Sequence, residues 1–200
     1  GSGIQMRQGP HAGRLMVACD HIEAGSKKYY SHVVYSDDRG KSWQLGGTAP
    51  RDQVNESEVV QLEDGRLLLN MRNYDRSKRT RQLAYSEDGG DSWADMQHAP
   101  DLIEPICQGA MLRWDAGSTS YVLFSNPANR DKRVNMTVKI SKDSGKSWQI
   151  LKQVHAGPSA YSDLVALGNK RVGLLYEAGQ ESPYEGIAWE VIDMERWLTP

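Results

Sequence analysis

Two hundred residues with 38% hydrophobic content can bury one good core, and a formal net charge of −2 gives no global surface for a polyanion, so no nucleic-acid partner is expected. No apolar run approaches the roughly 18 residues of a membrane helix, so no membrane span is expected either. Six Trp and nine Tyr against one Phe favour strands that carry polar-tipped aromatics.

In chain order, β-branched or alternating runs bounded by Gly, Asp and Asn predict one antiparallel unit after another, with no convincing helical period. The first unit has a short strand at 3–6, a turn at His11-Ala12-Gly13 and a strand at 14–19. It is followed by the segment Ser36-Asp37-Asp38-Arg39-Gly40-Lys41-Ser42-Trp43. The second unit is the clearest. It predicts a strand over 56–62, a turn at Glu63-Asp64-Gly65, a partner strand over 66–72, a polar loop over 73–79 and a third strand over 81–86. A second eight-residue segment, Ser86 to Trp93, leads into a short fourth strand from Ser92. The third unit predicts strands at 107–113, 120–125 and 134–140, with a turn at Asp115-Ala116-Gly117, and ends in Ser141 to Trp148. The last predicts strands at 161–167, 171–176 and 187–192, with a turn at Gly168-Asn169 and no closing segment.

The three segments share the pattern S-x-D-x-G-x-S-W, their first serines 50 and 55 residues apart. Asp and Ser can bond turn amides, Gly can take the left-handed conformation, and Trp can pack on a neighbour, so each copy reads as a tight hairpin closing a unit of about 50 residues. Four antiparallel strands per repeat is the blade of a β-propeller, and the chain is read as all-β. The three Trp residues are expected to pack between blade edges.

Strand parity then sorts the remaining polar residues. The first turn of a blade and its tagged turn are both odd-numbered connections and lie at one end; the start of strand one and the end of strand two lie at the other. Glu56 and Arg72 hold those positions in the second unit, Tyr161 and Glu177 in the last, and Arg133 opens a third strand at the same end. Taken singly, such residues are as well read as solvated charges or a packed aromatic. Taken together, two arginines suit planar recognition of a carboxylate or phosphate. A Tyr beside a Glu suits a phenol whose proton can be taken as it attacks.

These motifs resemble the sialidase family. The tags look like Asp-boxes. Asn55-Glu56-Ser57, Asp64-Gly65-Arg66 and Asn70-Met71-Arg72 resemble the segment with the catalytic Glu and an arginine of the carboxylate-binding triad. Phe124-Ser125-Asn126-Pro127 with Arg133-Val134-Asn135 resembles the segment with the last triad arginine, and Gly157 to Leu164 the nucleophilic tyrosine motif. Tyr176-Glu177 resembles the motif whose Glu supports the first arginine. The spacings agree: 16 residues from Glu56 to Arg72, 28 from Arg133 to Tyr161, 16 from Tyr161 to Glu177. The resemblance implies a retaining exo-α-sialidase acting on sialylated glycans, with Tyr161 as nucleophile, Glu56 as its base, Arg72 and Arg133 on the substrate carboxylate and Glu177 as the support of the family's first arginine. It implies an extracytoplasmic site (secreted, periplasmic or lysosomal), where sialoglycans are found. A non-catalytic Asp-box binding module and a sialic-acid transferase are the alternatives.

A sialidase propeller has six blades, whereas residues 1–200 supply about four. The family's Arg-Ile-Pro-like motif and acid/base aspartate are not matched, since Arg7, Arg14 and Asp20 stand in other contexts. The chain is therefore expected to be the C-terminal portion of a sialidase propeller, its N-terminal blades missing. Five His and two Cys show no metal-ligand spacing, and no cofactor or metal is expected. Cys19 and Cys107 can form one disulfide or remain two thiols. Asn55 and Asn135 open glycosylation sequons. The basic run Arg76 to Arg81 is read as a solvated loop.

Overall fold

Side chains along β3 (Tyr29–Ser36) alternate between buried and half-exposed, while β6 (Leu67–Asn73) and β7 (Thr80–Ser86) are buried along almost their whole length, as strands inside a sheet covered on both faces must be. These strands come from a computed structural model that describes residues 2–168 and 170–198. The chain divides into two compact units, residues 1–99 and 100–200.

The first unit holds two four-stranded antiparallel sheets. One is β1 (Ile4–Gln5), β2 (Leu15–Ile22), β3 and β4 (Gln44–Thr48) in that order. The other is β5 (Val54–Gln61), β6, β7 and β8 (Ala94–Ile103), whose last residues, from Pro100, belong to the second unit. Its core gathers Met16, Val33, Val54, Leu67, Leu69 and Met71. The second unit is a six-stranded sheet of β9 (Ala110–Ala116), β10 (Thr119–Pro127), β11 (Val134–Ser141), β12 (Gln149–Ala166), β13 (Arg171–Ala178) and β14 (Gly186–Asp193). The 18-residue β12 serves two blades. Its first half, to Pro158, pairs with β11, and its second half, from Ser159, pairs with β13. Trp114, Leu123, Met136, Val138, Leu174 and Met194 form the core of this unit. The fold is a run of propeller blades.

The three tagged turns are superimposable in their bonding. Ser36 Oγ donates to Asp38 Oδ1 at 2.8 Å and accepts from Gly40 N at 2.8 Å, while Asp38 accepts from Ser42 N at 2.9 Å and Ser42 Oγ at 2.6 Å. The Ser86 and Ser141 turns repeat all four bonds to within 0.1 Å. Each turn puts two successive residues in the left-handed region: Arg39 and Gly40, Gly89 and Gly90, Ser144 and Gly145. These left-handed pairs sit at the tip of a loop that runs from the end of one strand at the first serine to the next strand just past the Trp. These bonds hold the Asp38 carboxyl down at about 2. Desolvation opposes the same effect at Asp88 and Asp143, which remain below the ordinary carboxylate range through their serine bonds.

The tryptophans are not equivalent. Trp93 is 6% exposed and donates Nε1–H to Gly47 O at 3.0 Å, on the sheet before it. A Cβ on Gly47 would lie 2.8 Å from Asp91 O, so only glycine admits this approach. Trp148 is 7% exposed, bonds to Gly145 O of its own turn and meets Phe124 edge-on. Trp43 is 48% exposed, contrary to the expected packing between edges, because no earlier sheet stands beside it among the described residues.

Smaller expectations also shift. The third unit's first strand starts at Ala110, not 107, and its turn is Gly117-Ser118, Asp115 being still in β9. The fourth strand of the second blade is not short: β8 runs for ten residues. The last strand gives way to the short helix α1 (Glu195–Leu198). Asn169, of the turn expected at 168–169, lies outside the described residues. The basic run is not one solvated loop, since Arg81 is fully buried in β7 and donates Nε–H to Asn70 Oδ1 at 2.7 Å. Cys19 and Cys107 are not joined.

Candidate active site

At the strand ends opposite the tags, the same irregularity occurs twice. Between β5 and β6 the register runs from Val54 opposite Asn73 to Ser57 opposite Met71, so two residues of β5 face one of β6. Between β12 and β13 it runs from Ser159 opposite Ala178 to Ser162 opposite Tyr176. All four partners of the first bulge become those of the second on adding 105. The same shift carries Glu56 to Tyr161 and Arg72 to Glu177, the equivalence expected from the turns. A bulge twists its strand and re-aims the extra side chain.

In the first unit the bulge brings Glu56 and Arg72 into a salt bridge, Nη1 to Oε2, with the arginine side chain 12% exposed and the glutamate 29%. The Arg72 Cζ lies 5.2 Å from the centre of the Tyr74 ring, which in turn contacts Tyr29 at 5.3 Å. Burial, with help from the Glu56 charge and against that of Arg72, raises the Tyr74 phenol above its ordinary value. It is therefore a neutral aromatic wall. Asn55 bonds Asp20 Oδ2 through Nδ2 at 2.8 Å, and its carbonyl accepts from Ser31 Oγ at 2.5 Å.

In the second unit Glu177 Oε2 accepts the Tyr161 amide at 3.0 Å. Gln108 clamps the next residue from both sides: Nε2 donates to Ser162 O and Oε1 accepts Ser162 N, each at 3.0 Å. Ser162 Oγ also meets Ser125 Oγ at 2.8 Å. Tyr161 is 36% exposed, on a rigidly bonded bulge. Arg133 stands beside it, Cζ 5.9 Å from the ring centre, within cation–π range. Arg133 Nη2 donates to Ile106 O at 3.1 Å and Nη1 to Tyr184 OH at 2.6 Å. Ile106 has φ of 56°, a costly conformation for a β-branched residue that points to a positional demand on this segment.

Each unit thus gathers its own expected residues, Glu56 with Arg72, and Tyr161 with Arg133 and Glu177. Sequence reasoning missed Gln108, Tyr74 and Tyr184. Asn55, adjacent to Glu56, was the one neighbour with a signal. Among the described residues no group of three or more His, Cys, Asp or Glu could hold a metal.

Residues 4–176 match the family model of the BNR repeat-like domain. The chain belongs to the BNR-repeat sialidase family. It is 39% identical over 197 residues to the sialidase of Micromonospora viridifaciens, covering 94% of this chain and 30% of that protein. It is 30% identical over 154 residues to the Bacteroides fragilis sialidase, covering 73% of this chain and 28% of the relative. Among solved structures, Hadza microbial sialidase Hz136 superposes with a TM-score of 0.82 at 29% identity, over 97% of this chain and 37% of that one. The chain therefore spans less than a third of these curated sialidases. No helix among its described residues is long and apolar enough to cross a membrane.

Proposed function

We propose that this chain supplies the nucleophile-bearing part of an exo-α-sialidase, a retaining glycoside hydrolase that removes terminal sialic acid from sialylated glycans outside the cytoplasm. The observation that carries this reading is the repeated bulge. One backbone frame presents a carboxylate next to an arginine in the first unit and a phenol next to an arginine in the second.

Sialic acid bears a carboxylate on its anomeric carbon, and a carboxylate nucleophile would meet it with like charge. Tyrosine avoids the repulsion, and sialidases are the known exception to the two-carboxylate rule of glycosidases. In the proposed site Arg72 and Arg133 take the substrate carboxylate through charge-assisted bonds. Tyr161 Oη attacks the anomeric carbon as Glu56 accepts its proton, and the bond to the aglycone breaks. Water then attacks the same carbon, the tyrosyl bond breaks, and the two inversions give retention. No residue of this chain is assigned to protonate the departing aglycone.

The test belongs in the whole protein that contains this chain. Tyr161→Phe removes only the phenolic oxygen and is expected to abolish turnover of an aryl sialoside while folding and sialic-acid binding persist. Near-normal turnover in that variant rejects Tyr161 as nucleophile. Glycan binding by the parent without hydrolysis selects the non-catalytic binding module, and transfer to an added sugar acceptor selects the transferase.

A further inference from the structure

The loop between β13 and β14 leaves the sheet at the same end as Glu177 and folds around its own carboxylate. Glu185 accepts the amides of Gln180 at 3.0 Å, Glu181 at 2.8 Å and Ser182 at 2.6 Å. Those amides hold its carboxyl below the ordinary range, so the charge persists at neutral pH. The base of the loop is seated on the nucleophile strand, since Gly179 N donates to Pro158 O at 3.1 Å and Gly179 O meets His155 Nε2 at 3.2 Å. A Cβ on Gly179 would lie 2.0 Å from Ser182 O, so the loop closes this tightly only around glycine. The residue that this folded loop holds out is Tyr184, 61% exposed, whose phenol oxygen accepts from Arg133 Nη1.

An exposed tyrosine is ordinarily just a solvated aromatic. Here its oxygen sits on the guanidinium that the proposed function gives to the substrate carboxylate, opposite the Ile106 carbonyl on the other terminal nitrogen. Because the phenol oxygen accepts from Arg133, its own O–H remains as a donor beside that guanidinium. We propose that Tyr184 is a specificity-determining residue of this site, adding its O–H to the Arg133 fork so that guanidinium and phenol together recognise the carboxylate of the sugar. The Glu185 nest and Gly179 are its positioning elements. This rests on the sialidase reading above and adds a recognition element to it.

The experiment uses the whole protein and two probes, 2-deoxy-2,3-didehydro-N-acetylneuraminic acid and its methyl ester, titrated by calorimetry. Tyr184→Phe is expected to weaken binding of the acid by about tenfold, the range of one hydrogen bond to a charged group, and that of the ester by less than about twofold. KM for an aryl sialoside should rise by a similar factor with kcat nearly unchanged. Glu185→Ala should produce the same selective loss, and adding it to Tyr184→Phe should cost nothing more. Both side chains are exposed, and a thermal melt checks that both variants fold as the parent does. Equal losses for acid and ester, no loss for either, or a further loss in the double variant overturn the inference while a hydrolysing parent leaves the sialidase reading standing. A parent that binds neither probe removes both.

Discussion

The strand pairs β5–β6 and β12–β13 are the same piece of backbone twice, bulged at the same place, yet they close in different ways. In the first, Glu56 meets Arg72 and the two side chains neutralise each other. In the second, the residue in the glutamate's place is Tyr161 and the one in the arginine's place is Glu177, which turns to the Tyr161 amide. Even the following serine is shared: Ser57 Oγ donates to Cys19 O at 3.4 Å, and Ser162 Oγ to Ser125 O at 3.3 Å. The difference teaches that the bulge is inherited with the repeat, whereas the chemistry is set by one side chain on each strand. In the second copy the Gln108 side chain bonds both the amide and the carbonyl of Ser162, the residue after Tyr161.

The sharpest way to break this comparison is Glu56→Gln in the whole protein. If the first bulge supplies the base for the second, kcat on an aryl sialoside should fall by about 10²–10⁴-fold with binding retained. A loss confined to KM would make Glu56 only a partner of Arg72. Arg72→Lys keeps the charge but not the fork, and should lower kcat/KM by about 10–100-fold.

The tagged ends supply the contrasting case, where repeated sequence does repeat its role but not its surroundings. Trp93→Ala should cost about 3–5 kcal/mol in urea unfolding, since a buried indole and its bond to Gly47 are lost. Trp43→Ala, at a half-exposed position, should cost about 1 kcal/mol or less. Equal costs would mean that burial does not separate the two copies. An effect between these two is expected from Gln108→Ala, about 1–3 kcal/mol, because the Ser162 amide and carbonyl lose their partner. Its larger signature should be faster amide exchange at 160–163 than at 55–58.

The smallest effect is on pH. The Asp38, Asp88 and Asp143 carboxyls are depressed on folding, so the stability they contribute is complete above the unfolded value near 3.9 and is lost as pH falls toward the folded one, about 2 for Asp38. Thermal melts should show a full and constant contribution from these groups between pH 7 and about 5 and a falling one between about 4 and 2. Asp38→Asn should flatten its share of that slope; an unchanged slope would exclude the Ser42 and Ser36 bonds as the cause.

Much of the fold was legible because its signals are local. A turn that needs left-handed residues and side-chain oxygens at fixed offsets must spell them out, and three copies at near-equal spacing announce blades. Parity along strands was enough to put Glu56 with Arg72 and Tyr161 with Glu177 at common strand ends. What was not legible depends on contacts between residues far apart in the chain. Trp43, Trp93 and Trp148 have the same sequence context and different burial, because burial is set by the neighbouring sheet. The start of β9 at Ala110 follows from the irregular path of 104–109, which frees the Ile106 carbonyl for Arg133 and the Gln108 amide for Ser162.

Short-range patterns along the chain were thus enough for the all-β repeat, the tagged turns, the family resemblance and the residues that face one strand end. Folding was needed to reveal that the two bulges have the same register, that Arg81 is buried on Asn70 instead of solvated, and that the Glu185 loop sets Tyr184 on Arg133. The physical reason is that a hydrogen bond between residues 51 positions apart leaves no periodicity in the chain, and only folding brings its two ends together.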